Sequence, residues 1–129
     1  MSGTESDHVN AGSVSAAIST SVVRLLGEYT GRVPIQARTY MNEDLIIVAL
    51  RDKLTTQERA IAHGGGGDLV RSARQALQKA MEPELTMAVE RLSGRSVIAC
   101  LSHDHLDPDI VVESFVLAPR TNGAHVETH

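Results

Sequence analysis

Apolar residues recur at helical spacing through the first quarter of the chain. Ile18, Val22, Leu25, Leu26 and Tyr29 share one face, which predicts an amphipathic helix over about 13–30. Gly31 is a natural stop, because glycine adopts the left-handed conformation that closes a helix. Pro34 then imposes an extended entry into a short strand, Gln36–Met41. Asn42-Glu43-Asp44 supplies turn chemistry and Leu45–Leu50 is an almost unbroken aliphatic strand, so the two strands form a hairpin. Thr55 or Thr56 followed by Glu58 has the form of a helix N-cap and starts a short helix ending at Gly64–Gly67. Asp68 is placed to cap a longer helix that carries Leu69, Ala73, Leu77, Ala80, Leu85, Ala88 and Leu92 on one face. Pro83 lacks an N–H for the Lys79 carbonyl and predicts a kink or a restart there. Ser93-Gly94 ends the segment, and Ser96–Ser102 with Ile110–Leu117 makes a second hairpin.

The resulting α-β-β-α-α-β-β order predicts an α+β domain, a four-stranded, mainly antiparallel sheet with helices on one face. Residues 1–12 read as a disordered N-terminal tail and 119–129 as a flexible C-terminal tail, leaving a single domain over 13–118.

Leu45–Leu50 and Ile110–Leu117 are apolar at nearly every position, so both faces of the sheet call for cover. Three helices on so small a sheet cover one. Leaving about four Val, Ile or Leu side chains in water would forfeit on the order of 6–12 kcal/mol of burial. A homodimer through the second sheet face is the economical expectation.

Composition narrows the function classes. With a net charge of -4 the chain has no global attraction for nucleic acid, and its three aromatic side chains are too few for base stacking. No apolar run approaches the roughly 20 residues that span a bilayer, and the polar, acidic start lacks the order of a signal peptide. A soluble, cytoplasmic protein with no direct membrane insertion is expected. The one cysteine, Cys100, lies in an apolar run and reads as a buried, inert thiol.

The densest chemistry is Ser102-His103-Asp104-His105-Leu106-Asp107-Pro108-Asp109. His103, His105 and Asp107 alternate, so an extended chain sets them on one face about 6.5 Å apart, and two imidazoles could reach one zinc ion. The string resembles the His-x-His-x-Asp-His motif of the metallo-β-lactamase superfamily, which would make this a metal-dependent hydrolase. Pro108 stands where that motif ends in histidine, however, and the plainer reading is a polar hairpin tip with no cofactor beyond adventitious zinc. The run His63–Asp68 lacks the Gly-Lys-Ser/Thr ending of a phosphate loop and reads as a flexible connector. Arg32, Arg38, Arg51 and Lys53 flank the first hairpin, with Arg71 and Arg74 at the start of the long helix. Arg32, Arg38 and Tyr40 are the candidate contacts for a small anion or an acidic partner. No nucleophile–base pair is identifiable, which leaves catalysis unassigned.

The order of elements carries a family pattern. Gly31–Tyr40, Glu43–Leu50 and Leu54-Thr55-x-x-Glu58, followed by Pro83-Glu84-Leu85, Leu92-Ser93-Gly94-Arg95-x-Val97 and Phe115-Val116-Leu117, is similar to the MpsC-like family over roughly 15–118. That family takes its name from a sodium-translocating, membrane-potential-generating system. Val33 and the Gly64–Gly67 run depart from its pattern. The resemblance implies a non-catalytic accessory or regulatory module, linked to membrane transport of cations or inorganic carbon through a membrane-protein partner, and it brings no catalytic residue.

Overall fold

The computed structural model describes residues 3–51, 54–106 and 108–120. Helix α1 spans Gly3–Thr30, strands β1 and β2 span Gln36–Asn42 and Leu45–Arg51, and α2 spans Thr56–Ile61. A kinked turn, Ala62–Gly66, leads into α3, Gly67–Ser93; β3, Val97–His105, and β4, Ile110–Leu117, complete the domain. The sheet order is β1-β2-β4-β3 and every neighbouring pair is antiparallel. Both long helices pack on one face, as the order of elements predicts.

Alternation in the central strands places the core. Ile46, Val48 and Leu50 of β2 and Phe115 and Leu117 of β4 point to the helices and are almost wholly buried. They meet Ile18, Val22 and Leu25 of α1 and Met81, Leu85 and Val89 of α3. The helix ends follow their glycines: Gly31 and Gly94 have φ of 73° and 72°, and their amides donate to the carbonyls of Gly27 and Glu90.

Four local readings are corrected. Helix α1 reaches back to Gly3, about ten residues before the apolar periodicity begins, through a segment that contains no proline. The glycine run is a defined kink between α2 and α3 rather than a loose connector: Gly65 takes φ 91°, and a Cβ on Gly66 would come within 2.5 Å of the Ile61 side chain. Asp68 does not cap α3; Gly66 occupies the N-cap, and Asp68 lies in the first turn, 3.5 Å from Arg71. The helix does not restart at Pro83: α3 runs on through it to Ser93. Thr55 and Glu58, by contrast, form the reciprocal capping box.

The second hairpin is also longer than its apolar residues suggest. Strand β3 continues to His105, which pairs with Ile110, so His103 and His105 belong to the sheet rather than to the loop. Among the described residues no helix is long and apolar enough to cross a membrane.

Candidate functional site

Arg74, on the first turns of α3, is 7% exposed and grips two carboxylates. Its Nη1 and Nη2 donate to the two oxygens of Asp109 at 2.6 and 2.8 Å, and its Nε and Nη2 donate to those of Glu58 at 3.1 and 3.0 Å. Arg32 adds a 3.2 Å contact to Glu58. The planar guanidinium makes this double fork geometrically possible, and a lysine could not reproduce it. The cluster therefore ties α2, α3, the α1–β1 connection and the β3–β4 turn together at one end of the sheet. Burial works against the charges, but the mutual hydrogen bonds outweigh it. They raise the Arg74 pKa above the usual guanidinium value and hold the Glu58 carboxyl down at about 2, with help from the Thr55 amide and the Arg32 charge.

A second polar group lies deeper on the helix-facing side. Glu113 of β4 is 3% exposed and accepts a hydrogen bond from the Ser102 hydroxyl. Burial, opposed by that bond and reinforced by the charges of Glu82 and Asp104, pushes the Glu113 carboxyl up to about 7. One oxygen of Asp104, Oδ2, is buried without a partner among the described residues. Cys100 lies on the same side; burial, with Glu113 and Glu82 adding, pushes its thiol up to about 12, which makes it a poor nucleophile. The adjoining apolar cleft, walled by Val22, Leu26, Met81 and Leu85 and reached by Arg74 and Glu113, holds about 40 Å³. That is space for a few small atoms, not for a metabolite.

The other face of the sheet carries no described helix. Register fixes its four rows: Gln36, Arg51, Ile110 and His105; then Arg38, Ala49, Val112 and His103; then Tyr40, Ile47, Ser114 and Leu101; then Asn42, Leu45, Val116 and Ala99. Tyr40 and Leu101 are about half exposed, and Leu45 is 37% exposed.

The structure divides the sequence-level candidates between these places. Arg32 sits beside the buried clamp, whereas Arg38 and Tyr40 lie on the opposite, open sheet face, so the three do not line one pocket. Arg74 and Glu58 do converge, but on each other and on Asp109. His103 and His105 share the open face, where their cross-strand neighbours are Val112 and Ile110. The His105 Nδ1 lies 2.9 Å from the Pro108 carbonyl, so as the donor it leaves only Nε2 for any other ligand. Asp107, like Lys53, lies outside the described residues. Among the described residues no three His, Cys, Asp or Glu side chains converge as metal ligands. Sequence reasoning missed Asp109 and Glu113 as buried carboxylates. Asp109 looked like a turn former, and Glu113 was an isolated acid in an apolar strand, which is the one signal that could have marked it.

A family model described as Na+-translocating membrane potential-generating system (MpsC) matches residues 10–119. No curated protein and no solved structure matches the chain.

Proposed function

This chain belongs to the MpsC family, and on that premise we propose that it is a non-catalytic accessory or regulatory module of a Na+-translocating, membrane-potential-generating system. It acts from the cytoplasmic side by docking rather than by chemistry. The observation that carries this reading is the open sheet face, whose central strands present Leu45, Ile47, Ala49, Ile110, Val112 and Val116 with no described element over them. A largely apolar spine on an open sheet face of this kind marks an interaction site. The Arg74 fork, in contrast, is occupied by the internal carboxylates of Glu58 and Asp109.

Two occupants compete for this face: a second copy of the chain, which the apolar rows taken alone favour, and a membrane component of the transport system. Light scattering after size exclusion tests the first, with twice the chain mass expected and a monomer at micromolar concentration counting against it. Affinity capture from detergent-solubilised native membranes tests the second. The wild type should recover an integral subunit of the Na+-translocating machinery, and Ile47→Asp should not. Recovery that ignores this substitution would overturn the docking role. Stoichiometric metal in untagged protein, lost in His103→Ala, would replace it with the metal-dependent alternative.

A further inference from the structure

The open sheet face is not uniformly apolar. Its cationic and imidazole groups fall in two adjacent rows, at the end nearest the β3–β4 turn. Arg51 and Arg38 stand on the β1–β2 side, and His105 and His103 stand on the β3 side. All four residues are exposed. No Asp or Glu occupies any of the sixteen positions of the four rows, although the whole chain carries sixteen carboxylates against twelve Lys and Arg. The strand acids point elsewhere. Glu113 and Asp104 face the helices, and Asp109 in the adjoining turn is held by Arg74. Among the described residues Arg38 and Arg51 form no ion pair; the side-chain amide of Gln36 lies 2.9 Å from the Arg38 Nε.

We propose that this face receives an acidic amphipathic helix of a partner protein, with the helix's apolar stripe on the β2–β4 spine and its flanking carboxylates on Arg38 and Arg51 to one side and His103 and His105 to the other. The inference rests on the reading of this face as the docking surface and adds the chemistry of its occupant. Strands lie about 4.8 Å apart, so Arg38 and His103 are about 14 Å apart across the sheet, and Arg51 and His105 about 10 Å. A helix is about 10–12 Å wide and fits between Arg38 and His103, with Arg51 and His105 reaching it from the adjoining row. Ala49 is the smallest side chain of the central strands on this face and lies in the row that Arg38 and His103 flank.

A second copy matches the apolar rows but not these two. With a two-fold axis along the strands, the arginines of one copy lie over the histidines of the other. With the axis across the strands, the charged rows lose water against an apolar row that offers no counter-charge. Nucleic acid would find a single aromatic platform, Tyr40, on the whole face. An acidic helix satisfies the apolar spine, the arginines on one flank and the imidazole hydrogen-bonding groups on the other, and it excludes a second copy from the same spine.

The probe is a fluorescent synthetic helix of about 18 residues, whose ~27 Å length matches an eight-residue strand. It carries a Leu/Ala stripe flanked by Glu, and a control replaces every Glu by Lys. Anisotropy with the full chain should show saturable binding of the Glu peptide that weakens between about 50 and 500 mM salt, with the Lys peptide binding far more weakly. Arg38→Glu/Arg51→Glu should weaken the Glu peptide by about tenfold or more, while Arg24→Glu on α1 leaves it unchanged. Far-UV circular dichroism confirms that the variants fold. Equal binding of both peptides, no binding at all, or binding only to vesicles containing anionic phosphatidylserine would each overturn the proposal. Light scattering on the same samples separates the two readings. A monomer that binds the Glu peptide refutes the homodimer alone, and a dimer that ignores the peptide refutes the acidic occupant alone.

Discussion

Replacing Glu113 by glutamine should stabilise the protein at neutral and alkaline pH and have a small effect in mild acid. The carboxyl is buried between β3 and α3, with Ser102 as its hydrogen-bond partner and the charges of Glu82 and Asp104 nearby. Folding moves its pKa from the ordinary 4.5 to about 7. The native state therefore holds the proton more tightly than the unfolded chain, and stability falls as pH rises between those two values. The stability tied to this group is fully present below pH 4.5 and has been lost once pH passes 7. A displacement of this size corresponds to about 3 kcal/mol, of which roughly 1 kcal/mol is already gone at about pH 5. Glutamine keeps the shape and can still hydrogen-bond Ser102, but it carries no charge to bury. Urea unfolding followed by circular dichroism at about pH 5 and about pH 8 measures the difference. The advantage of Glu113→Gln over the wild type should grow by about 2–3 kcal/mol between the two. An advantage that is the same at both pH values, or a variant less stable than wild type at about pH 8, would refute the account.

Two further outcomes follow from the Arg74 clamp. Arg74→Met strands Asp109 as a buried, unpaired carboxylate and should lower unfolding free energy by about 3–5 kcal/mol; a loss under about 1 kcal/mol in urea titration would show that the fork is not structural. Glu58 titrates in the opposite sense to Glu113, because its folded pKa lies at about 2 against 4.5 unfolded. Its contribution is present above pH 4.5 and lost as pH falls toward 2. Glu58→Gln should therefore flatten the acid limb of a melting-temperature profile and leave its slope unchanged from neutral pH upward.

Local order was written in residues close together in the chain. Gly31 and Gly94 end their helices, Thr55 and Glu58 cap α2, and the aliphatic runs of β2 and β4 mark the two central strands of the sheet. These signals are short-ranged: a backbone conformation, a side chain three residues from an amide, or an alternation of faces. The kink between α2 and α3 carries no such signal, because four glycines look permissive. Its constraint is the close approach of Gly66 to Ile61, a contact that exists only once the turn has closed.

The candidate sites depended on distance in space. His103 and His105 looked like the chemical centre because they are adjacent in sequence, yet the sheet sets both beside apolar neighbours on an open face. Arg74, Glu58 and Asp109 are separated by 16 and 35 positions from Arg74 to its two partners, and no periodicity announces their meeting. Amphipathic pattern determined the elements and their order, because burial of apolar surface is a property of each segment. Antiparallel register decided which charges share that face. One step of alternation sends Arg38, Arg51, His103 and His105 outward and Asp104 and Glu113 inward, and only the paired strands fix that step.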